Sequence, residues 1–345
     1  ISGGFYMIAR TQEEIMRDWQ GDMEQPLVSV RCITYNHEPY IAQALDGFLM
    51  QKTNFPFEVI VHDDASTDRT ADIVREYERK YPKIIRAIYQ TENQYSKRDG
   101  SIGRIMNAAC RGRYIAVCEG DDYWIDGNKL QMQVDFLEAN PEYSAYYSNV
   151  EGIDAEGKPF GYAYLSFPLY STHSISPSDP HYYPLIGQLA TCMVRREIML
   201  EISKADFQIN GDMVLSAIAR ARGSVYYSEE KLACHRKSFV GDSWTARTYQ
   251  KDLTVLHYKF NRNILIFSKK VLGKEYSDGD YYLSKFILFK LRKWLAKFDR
   301  QDGRDLRELL DLCDFKALLP FYWTKAAFEK VFKLNNSRRK ICKTL

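Results

Sequence analysis

Cysteine is scarce in this 345-residue chain, and long hydrophobic runs are absent. The seven cysteines are scattered, no Cys-x-x-Cys pair occurs, and no histidine accompanies them at the spacing of zinc ligands. Such an odd, dispersed set of thiols is typical of a reducing compartment, so we expect neither a disulfide framework nor a structural zinc site. A membrane span needs about 20 consecutive apolar residues. The sequence therefore predicts no spanning segment and a cytoplasmic location.

Charge is divided unevenly along the chain. Hydrophobic residues make up 45% of it and charged residues 27%, which suits a folded protein of about two domains. Residues 1–250 carry a net charge of −8, whereas residues 251–345 carry 22 Lys and Arg against 11 Asp and Glu. We predict an N-terminal helix within 1–25, a main α/β domain over 26–250 and a basic helical region over 251–345. Met7 is the expected native start.

Predicted strands and helices alternate over the first 120 residues. Continuous Val and Ile runs such as Phe57–His62 are typical of strands that are buried on both faces of a parallel sheet. Predicted strands cover 27–33, 57–62, 84–89 and 114–118, and predicted helices cover 7–24, 40–49, 69–80 and 101–109. This order predicts an α/β fold with a Rossmann-like, mostly parallel sheet flanked by helices, followed by a C-terminal helical extension.

Polar clusters stand directly after three of these strands. They read Thr34-Tyr35-Asn36-His37-Glu38, Asp63-Asp64-Ala65-Ser66-Thr67-Asp68 and Glu119-Gly120-Asp121-Asp122-Tyr123-Trp124. The carboxyl ends of parallel strands share one edge of the sheet, where ligands bind. Carboxylates that converge there repel one another unless a cation is present, and Mg²⁺ or Mn²⁺ also binds substrate phosphates. Taken singly, the second cluster could be a helix cap and the third a solvated turn. Together they predict a nucleotide-diphosphate site.

The three clusters, in this order, resemble the family-two glycosyltransferases of the GT-A fold. In that family the first strand ends in Tyr-Asn, the second in Asp-Asp-x-Ser-x-Asp and the fourth in Asp-x-Asp. The resemblance covers residues 26–245 and implies a catalytic domain with a nucleotide-sugar half over 26–125 and an acceptor half over 126–250. It also implies the inverting, Mn²⁺- or Mg²⁺-dependent transfer of a sugar from a nucleotide diphosphate, with UDP as the expected nucleotide.

The resemblance assigns donor-binding roles by position. The implied donor contacts are Thr34, Tyr35, Asn36, Glu38, Asp63, Asp64, Arg104, Glu119, Gly120, Asp121 and Arg236. Tyr35 and its neighbours would hold the base, with Asp63 or Asp64 bonding its edge. Glu119 stands where the family more often has Asp, at a position that faces the ribose. The longer Glu side chain keeps the charge but extends its reach.

The resemblance further implies the metal ligands and the catalytic base. Asp121 would bind the cation that bridges the donor diphosphate, and Asp122 would support it. Residues 210–215 resemble the element that carries the general base, which makes Asp212 the expected catalytic residue. A carboxylate there would accept the proton of the acceptor hydroxyl as its oxygen attacks the sugar. The alternative is that Asp212 only caps a helix.

A later strand, Leu232–Arg236, resembles one that follows the base in relatives. His235 stands where those proteins often have Tyr, and Ser238 stands at their usual His. His235 therefore either replaces that His or is a packed structural residue. Gln188–Thr191 is expected in the acceptor wall, and Gly241–Trp244 is expected to close over the donor.

Basic and aromatic residues interleave after residue 250. Lys285, Lys290, Arg292, Lys293 and Lys297 alternate with Phe286, Phe289, Trp294 and Phe298. This pattern fits an ordinary helical domain or contact with an anionic membrane surface, here the inner face of the plasma membrane. Membrane contact would suit a saccharide or lipid-linked acceptor in capsule, exopolysaccharide or lipopolysaccharide synthesis. No nucleic-acid motif is present, so no nucleic acid is expected.

Two other functions remain open at this point. A sugar-nucleotide pyrophosphorylase would use a similar sheet, but no Gly-rich basic loop follows the first strand to hold a triphosphate. A nucleotide-sugar-binding scaffold without catalysis would have no need of Asp212.

Overall fold

The computed structural model describes residues 10–97, 99–163, 173–183, 185–202, 211–237, 252–297 and 299–313. These residues form two compact units. The first contains the described residues up to 179 and from 185 to 237, and the second contains 180–183 with 252–313. The boundary predicted near residue 250 falls outside the described residues. The division into 26–250 and 251–345 therefore stays a prediction.

A mixed sheet forms the centre of the first unit. Over the described residues its strands are β1 (Val28–Thr34), β2 (Phe57–Asp63), β3 (Ile85–Tyr89), β4 (Tyr114–Val117), β5 (Tyr123–Trp124), β6 (Tyr143–Ile153), β7 (Pro159–Ala163), β8 (Ser174–Ile175), β9 (Met193–Arg195) and β10 (Ser224–Arg236). The main order is β3-β2-β1-β4-β9-β6-β10-β5, with β7 beside β6 and β8 beside β10. β1 to β4 run parallel, as do β6 and β10. The predicted α/β fold with a central sheet flanked by helices is confirmed. Its first four strands are parallel as predicted, whereas β5, β7, β8 and β9 pair antiparallel with their neighbours.

The register of the inner strands brings their carboxyl ends together. Thr34, at the end of β1, is the register partner of Asp63 at the end of β2. On the other side of β1, Gly120 donates its backbone N–H to the Ile33 carbonyl at 2.9 Å, so pairing continues beyond β4. The three polar clusters are therefore neighbours at one edge of the sheet.

Helices and apolar strand faces build the core around this edge. The helices are α1 (Gln12–Met16), α2 (Ile41–Leu49), α3 (Thr70–Lys80), α4 (Ser101–Ala109), α5 (Lys129–Ala139), α6 (Arg196–Ile202) and α7 (Gly211–Arg222). Every residue of β2 is buried, which explains its continuous apolar run. Phe48 of α2 packs edge-on against Trp124 with ring centroids 4.7 Å apart. The strand ends thus project from a rigid base.

The helix predicted over 7–24 is shorter in the structure. A capping box, with Thr11 and Glu14 bonded to each other's backbone, starts α1, which ends at Met16. Trp19 then packs against Phe57 with ring centroids 5.1 Å apart. Gly21 follows with φ +113°, a conformation outside any helix. Tertiary contacts therefore override the helical pattern after α1.

Three helices build the second unit, within the described residues. They are α8 (Thr254–Val271), α9 (Gly279–Lys297) and α10 (Arg300–Asp311). Their apolar sides share a small core that includes Tyr258, Ile287 and Leu309. None of the described helices is both long enough and apolar enough to span a bilayer. Contact between residues 251–345 and an anionic membrane stays a prediction.

Lys290 was expected on the basic surface of this unit, and the structure corrects that expectation. Its side chain is fully buried, and its ammonium group contacts the carboxylates of Asp252, Asp302 and Asp305. Burial opposes the charge on Asp252, but hydrogen bonds from Lys293 and neighbouring groups hold the pKa of Asp252 below its usual range. Part of the basic excess is therefore neutralised inside the unit.

We predict that Lys290→Met destabilises the chain, because three carboxylates would lose their shared cation in a buried place. Removing one partner of a buried ion cluster costs about 3–5 kcal/mol. The thermal midpoint of the purified variant measures the effect. Lys270→Met, at an exposed position of α8, is the matched control and should leave the midpoint unchanged. Equal midpoints for the two variants would contradict a structural role for Lys290.

Candidate functional site

Hydrogen bonds join the loops that follow β1 and β2. Asn36 has φ +53°, and its side-chain oxygen accepts from the backbone N–H of Thr67 at 2.8 Å. Glu38 accepts from the backbone N–H of Arg69 at 3.1 Å and donates its own N–H to Asp68. These bonds fix the loops against each other and leave Tyr35 41% exposed at the rim. Asn36 and Glu38, predicted to bind the donor, thus hold the loops in this structure.

Asp63 and Asp64 are both buried, but the structure uses them differently. Asp64 accepts backbone N–H groups of Gln94 at 2.7 Å and Tyr95 at 3.0 Å, one on each carboxylate oxygen. Asp63 accepts the Ser66 N–H at 3.2 Å on one oxygen only. Its other oxygen is buried and has no hydrogen-bond partner within the described part of the chain. Asp63 therefore has the free acceptor, and Asp64 anchors the loop after β3.

Gly120 lies against the end of β1 at very short range. A Cβ atom at this position would approach Thr34 Oγ1 to 2.7 Å and His37 Nδ1 to 3.0 Å. Thr34 Oγ1 and His37 Nδ1 are themselves buried without hydrogen-bond partners among the described residues. Unpaired buried polar atoms are costly. Their presence beside the unpaired oxygen of Asp63 marks this edge as a place for a polar ligand.

Three carboxylates meet after β4. Glu119, Asp121 and Asp122 each offer an oxygen, and these oxygens all lie within 4.8 Å of one another. Desolvation and the charges of Asp121 and Asp212 raise the pKa of Glu119 well above its usual value. Desolvation also raises the pKa of Asp121, which the nearby His37 partly offsets. Grouped carboxylate oxygens suit Mg²⁺ or Mn²⁺. The residues present therefore fit a divalent cation.

The partners of Asp122 lie on β10. The backbone N–H of Arg236 donates to Asp122 Oδ1 at 2.8 Å, and His235 Nδ1 lies 3.2 Å from Oδ2. Although burial opposes it, Asp122 raises the pKa of His235. Gln188 Nε2 also lies 2.6 Å from that ring nitrogen. His235 is therefore built into the carboxylate cluster, while Ser238 and Gly241–Trp244 lie outside the described residues.

The guanidinium of Arg236 is hydrogen-bonded to other groups of the protein. Its guanidinium donates to the carbonyl of Asp121 at 3.0 Å and to Gln43 Oε1 at 2.9 Å. Two further carbonyls, of Asp154 and Ala155, accept from it at 3.1 Å. With these contacts the side chain positions the acidic loop. The predicted donor contact of Arg236 stays a prediction.

Asp212 lies in the first turn of α7, close enough to Glu119 to influence its charge. Burial raises the pKa of Asp212 to about 6, against the opposing charges of His235 and Arg31. A carboxylate with such a pKa can be ionised at neutral pH and still accept a proton. Asp212 therefore lies within electrostatic reach of Glu119, and its role as the catalytic base stays a prediction.

Arg104 lies apart from this network. It belongs to α4, and its guanidinium donates to the Asp99 carbonyl at 2.6 Å and faces the Asp99 carboxylate at 3.7 Å. Its predicted contact with the donor stays a prediction.

Two residues beside the cluster were missed by sequence analysis. His37 Nε2 lies 3.9 Å from Asp121 Oδ2, and although His37 stands in the first polar cluster, no role was assigned to it. Arg31, inside β1, influences the charges of Glu119 and Asp212. The sequence could have pointed to Arg31, because it is the only charged residue in the strand Val28–Thr34.

Comparison with known proteins identifies similar glycosyltransferases. The family model described as Glycosyl transferase family 2 matches residues 29–197. TuaG of Bacillus subtilis, a putative teichuronic acid biosynthesis glycosyltransferase, is 29% identical over 238 residues, covering 67% of this chain and 86% of TuaG. A solved structure of S. aureus TarS 1–349 with UDP-GlcNAc covers 82% of this chain and 79% of that chain, with TM-score 0.60 and 17% identity, and shows the same fold.

The chain is thus built on a GT-A fold. Residues 29–197 belong to glycosyltransferase family two. An uncharacterised protein of Mycobacterium tuberculosis is 44% identical over 135 residues, which cover 38% of this chain and 37% of the relative. The chain therefore spans little more than a third of the length of such relatives.

We predict that Gly120→Ala destabilises the first unit, because its Cβ would overlap Thr34 at the end of a fully packed strand. Such overpacking costs about 1–3 kcal/mol. Gly103→Ala is the control, since a Cβ there meets nothing within 4 Å and alanine favours the helix α4. Urea unfolding of both variants measures the difference. A Gly120→Ala midpoint at or above that of Gly103→Ala would contradict the close approach.

Proposed function

We propose that this chain transfers a sugar, with inversion, from a nucleotide diphosphate to a hydroxyl group of a saccharide or lipid-linked acceptor. The single observation that carries the proposal is the meeting of Glu119, Asp121 and Asp122 beside unpaired polar atoms at the strand ends, with Asp212 near enough to influence the charge of Glu119. The match of residues 29–197 to glycosyltransferase family two supports it. The expected donor is a UDP-sugar.

The base would bind between the loops that follow β1 and β2. Tyr35 is exposed at the rim, where its ring can stack on a nucleobase. The unpaired oxygen of Asp63 can accept an N–H from the edge of the base. Asp64 is already occupied by backbone N–H groups. The geometry thus favours Asp63 over Asp64 as the residue that reads the base.

Asp121 and Asp122 would hold a Mn²⁺ or Mg²⁺ ion, with Glu119 in reach of the same ion or of the ribose. Such an ion takes up negative charge on the leaving diphosphate. Asp122 is oriented by the Arg236 backbone and by His235, so Asp121 is the more accessible ligand. Gly120 lets this loop lie against Thr34.

Asp212 would act as the general base. The acceptor oxygen attacks the anomeric carbon, its proton passes to the Asp212 carboxylate, and the bond between that carbon and the diphosphate oxygen breaks. Attack from the side opposite the leaving group inverts the configuration. His235 and Arg31 lie near enough to influence the charge of Asp212. A base with a pKa near 6 is suited to neutral conditions.

The biological setting that we propose is bacterial surface polysaccharide synthesis. The similarity to TuaG, which is named for teichuronic acid biosynthesis, supports a polysaccharide product. Residues 251–345 would contact an anionic membrane surface, bringing the catalytic unit to lipid-linked acceptors. The remaining exposed basic residues of α9, Lys285 and Arg292, would contribute.

We predict Mn²⁺-dependent binding of a nucleoside diphosphate. Calorimetric titrations with UDP, GDP and dTDP, with and without Mn²⁺, should give one preferred nucleotide. Asp121→Asn should weaken its binding in Mn²⁺ by at least about tenfold, because the cation loses a charged ligand. Asp135→Asn, on the exposed side of α5, is the control and should bind as the unaltered chain does. Failure of every nucleotide to bind would overturn the proposed function.

We predict an acid limb in the pH profile of donor turnover. Asp212 must be ionised to accept a proton, so kcat/KM should fall as the pH drops below about 6, where Asp212 becomes protonated. Asp212→Asn should lower turnover by about 10²–10⁴-fold and leave donor binding intact. Release of the nucleoside diphosphate from the donor sugar measures turnover, both across the pH range and in the variant. Unchanged turnover in Asp212→Asn would remove the residue from this role.

A further inference from the structure

Arg31 occupies an unusual place for a cation. It lies in the middle of β1, between Ile60 of β2 and Val117 of β4, its register partners. Its neighbours along the strand, Val30 and Cys32, are completely buried. An arginine inside a central parallel strand needs compensation, because such strands are normally apolar.

The structure does not supply that compensation as hydrogen bonds. Arg31 Nε is buried without a partner, and its side chain makes no hydrogen bond to any described residue. A guanidinium stays charged and carries five N–H donors in a planar fork. An unpaired buried donor costs about 1–3 kcal/mol. The fork is therefore free to donate to a ligand.

The direction of Arg31 follows from the sheet. Val117 pairs with Arg31, and pairing continues beyond β4 through the Gly120 N–H, so Glu119 lies two residues further along on the same face. Asp212 also lies near enough to influence Arg31. Arg31 and Glu119 thus lie on the same face of the sheet.

We propose that Arg31 is a specificity-determining residue that donates hydrogen bonds to oxygen atoms of the transferred sugar. This inference rests on the proposed function. If the diphosphate lies at Asp121 and the anomeric carbon lies before Asp212, the sugar spans the space above Arg31. The oxygen atoms are those of hydroxyl groups or of a carboxylate, both of which accept from a guanidinium fork.

Paired titrations test this role. UDP is compared with UDP-glucose and UDP-glucuronate, and GDP with GDP-mannose, all in Mn²⁺, for the unaltered chain, Arg31→Met and Arg31→Lys. Arg31→Met should weaken the nucleotide-sugars of the preferred base by at least about tenfold and change the free diphosphate less than about threefold. Arg31→Lys should restore part of the loss. A larger loss for UDP-glucuronate than for UDP-glucose identifies a carboxylate contact, and equal losses identify hydroxyl contacts.

A structural role for Arg31 makes different predictions. Losing a half-buried cation without hydrogen-bond partners should keep or raise the thermal midpoint of Arg31→Met, whereas losing a structural residue should lower it. Arg75→Met, at an exposed position of α3, is the control for loss of an arginine. Unchanged nucleotide-sugar binding in Arg31→Met, or equal losses for sugar and free diphosphate, would overturn the inference. Absence of all nucleotide binding in the unaltered chain would instead overturn the proposed function.

Discussion

Mutual repulsion of carboxylates at one sheet edge is the constraint on which the site depends. Parallel pairing of β1 with β2 and β4 brings these carboxylates to one edge, because the acidic clusters follow directly after the ends of those strands. Desolvation and neighbouring charge raise the pKa values of Glu119 and Asp121. A cation with a polar ligand at this edge would offset the repulsion between these carboxylates.

Much of the remaining first unit can be understood as support for that edge. The β10 residues His235 and Arg236 hold Asp122 and the loop beside it. Asn36 and Glu38 join two loops that would otherwise move independently. These bonds fix the carboxylates before any ligand arrives. Such preorganisation lowers the cost of ordering the site upon binding.

Sequence patterns predicted this fold well where the signal was local and strong. The apolar run of β2 and the helical periodicity of α3 and α4 were found within one residue of their bounds. That the carboxyl ends of these strands share one sheet edge could then be inferred from the order of strands and helices along the chain. The pattern failed at residues 17–24, where packing of Trp19 on Phe57 overrides helical periodicity. It also failed at Lys290, whose acidic partners come from separate segments.

The roles of the individual site residues were harder to predict than which residues lie in the site. The sequence could place Asp63 and Asp64 together, but only hydrogen bonds show that one of them is occupied. Arg236 matched a motif, yet its donors are used by protein carbonyls.

Diffraction from crystals grown with Mn²⁺ and UDP, using the anomalous signal of manganese, tests the central claim most directly. We expect one manganese peak within about 2–2.5 Å of an Asp121 oxygen. A manganese ion bound elsewhere, with these carboxylates left without it, would contradict the account.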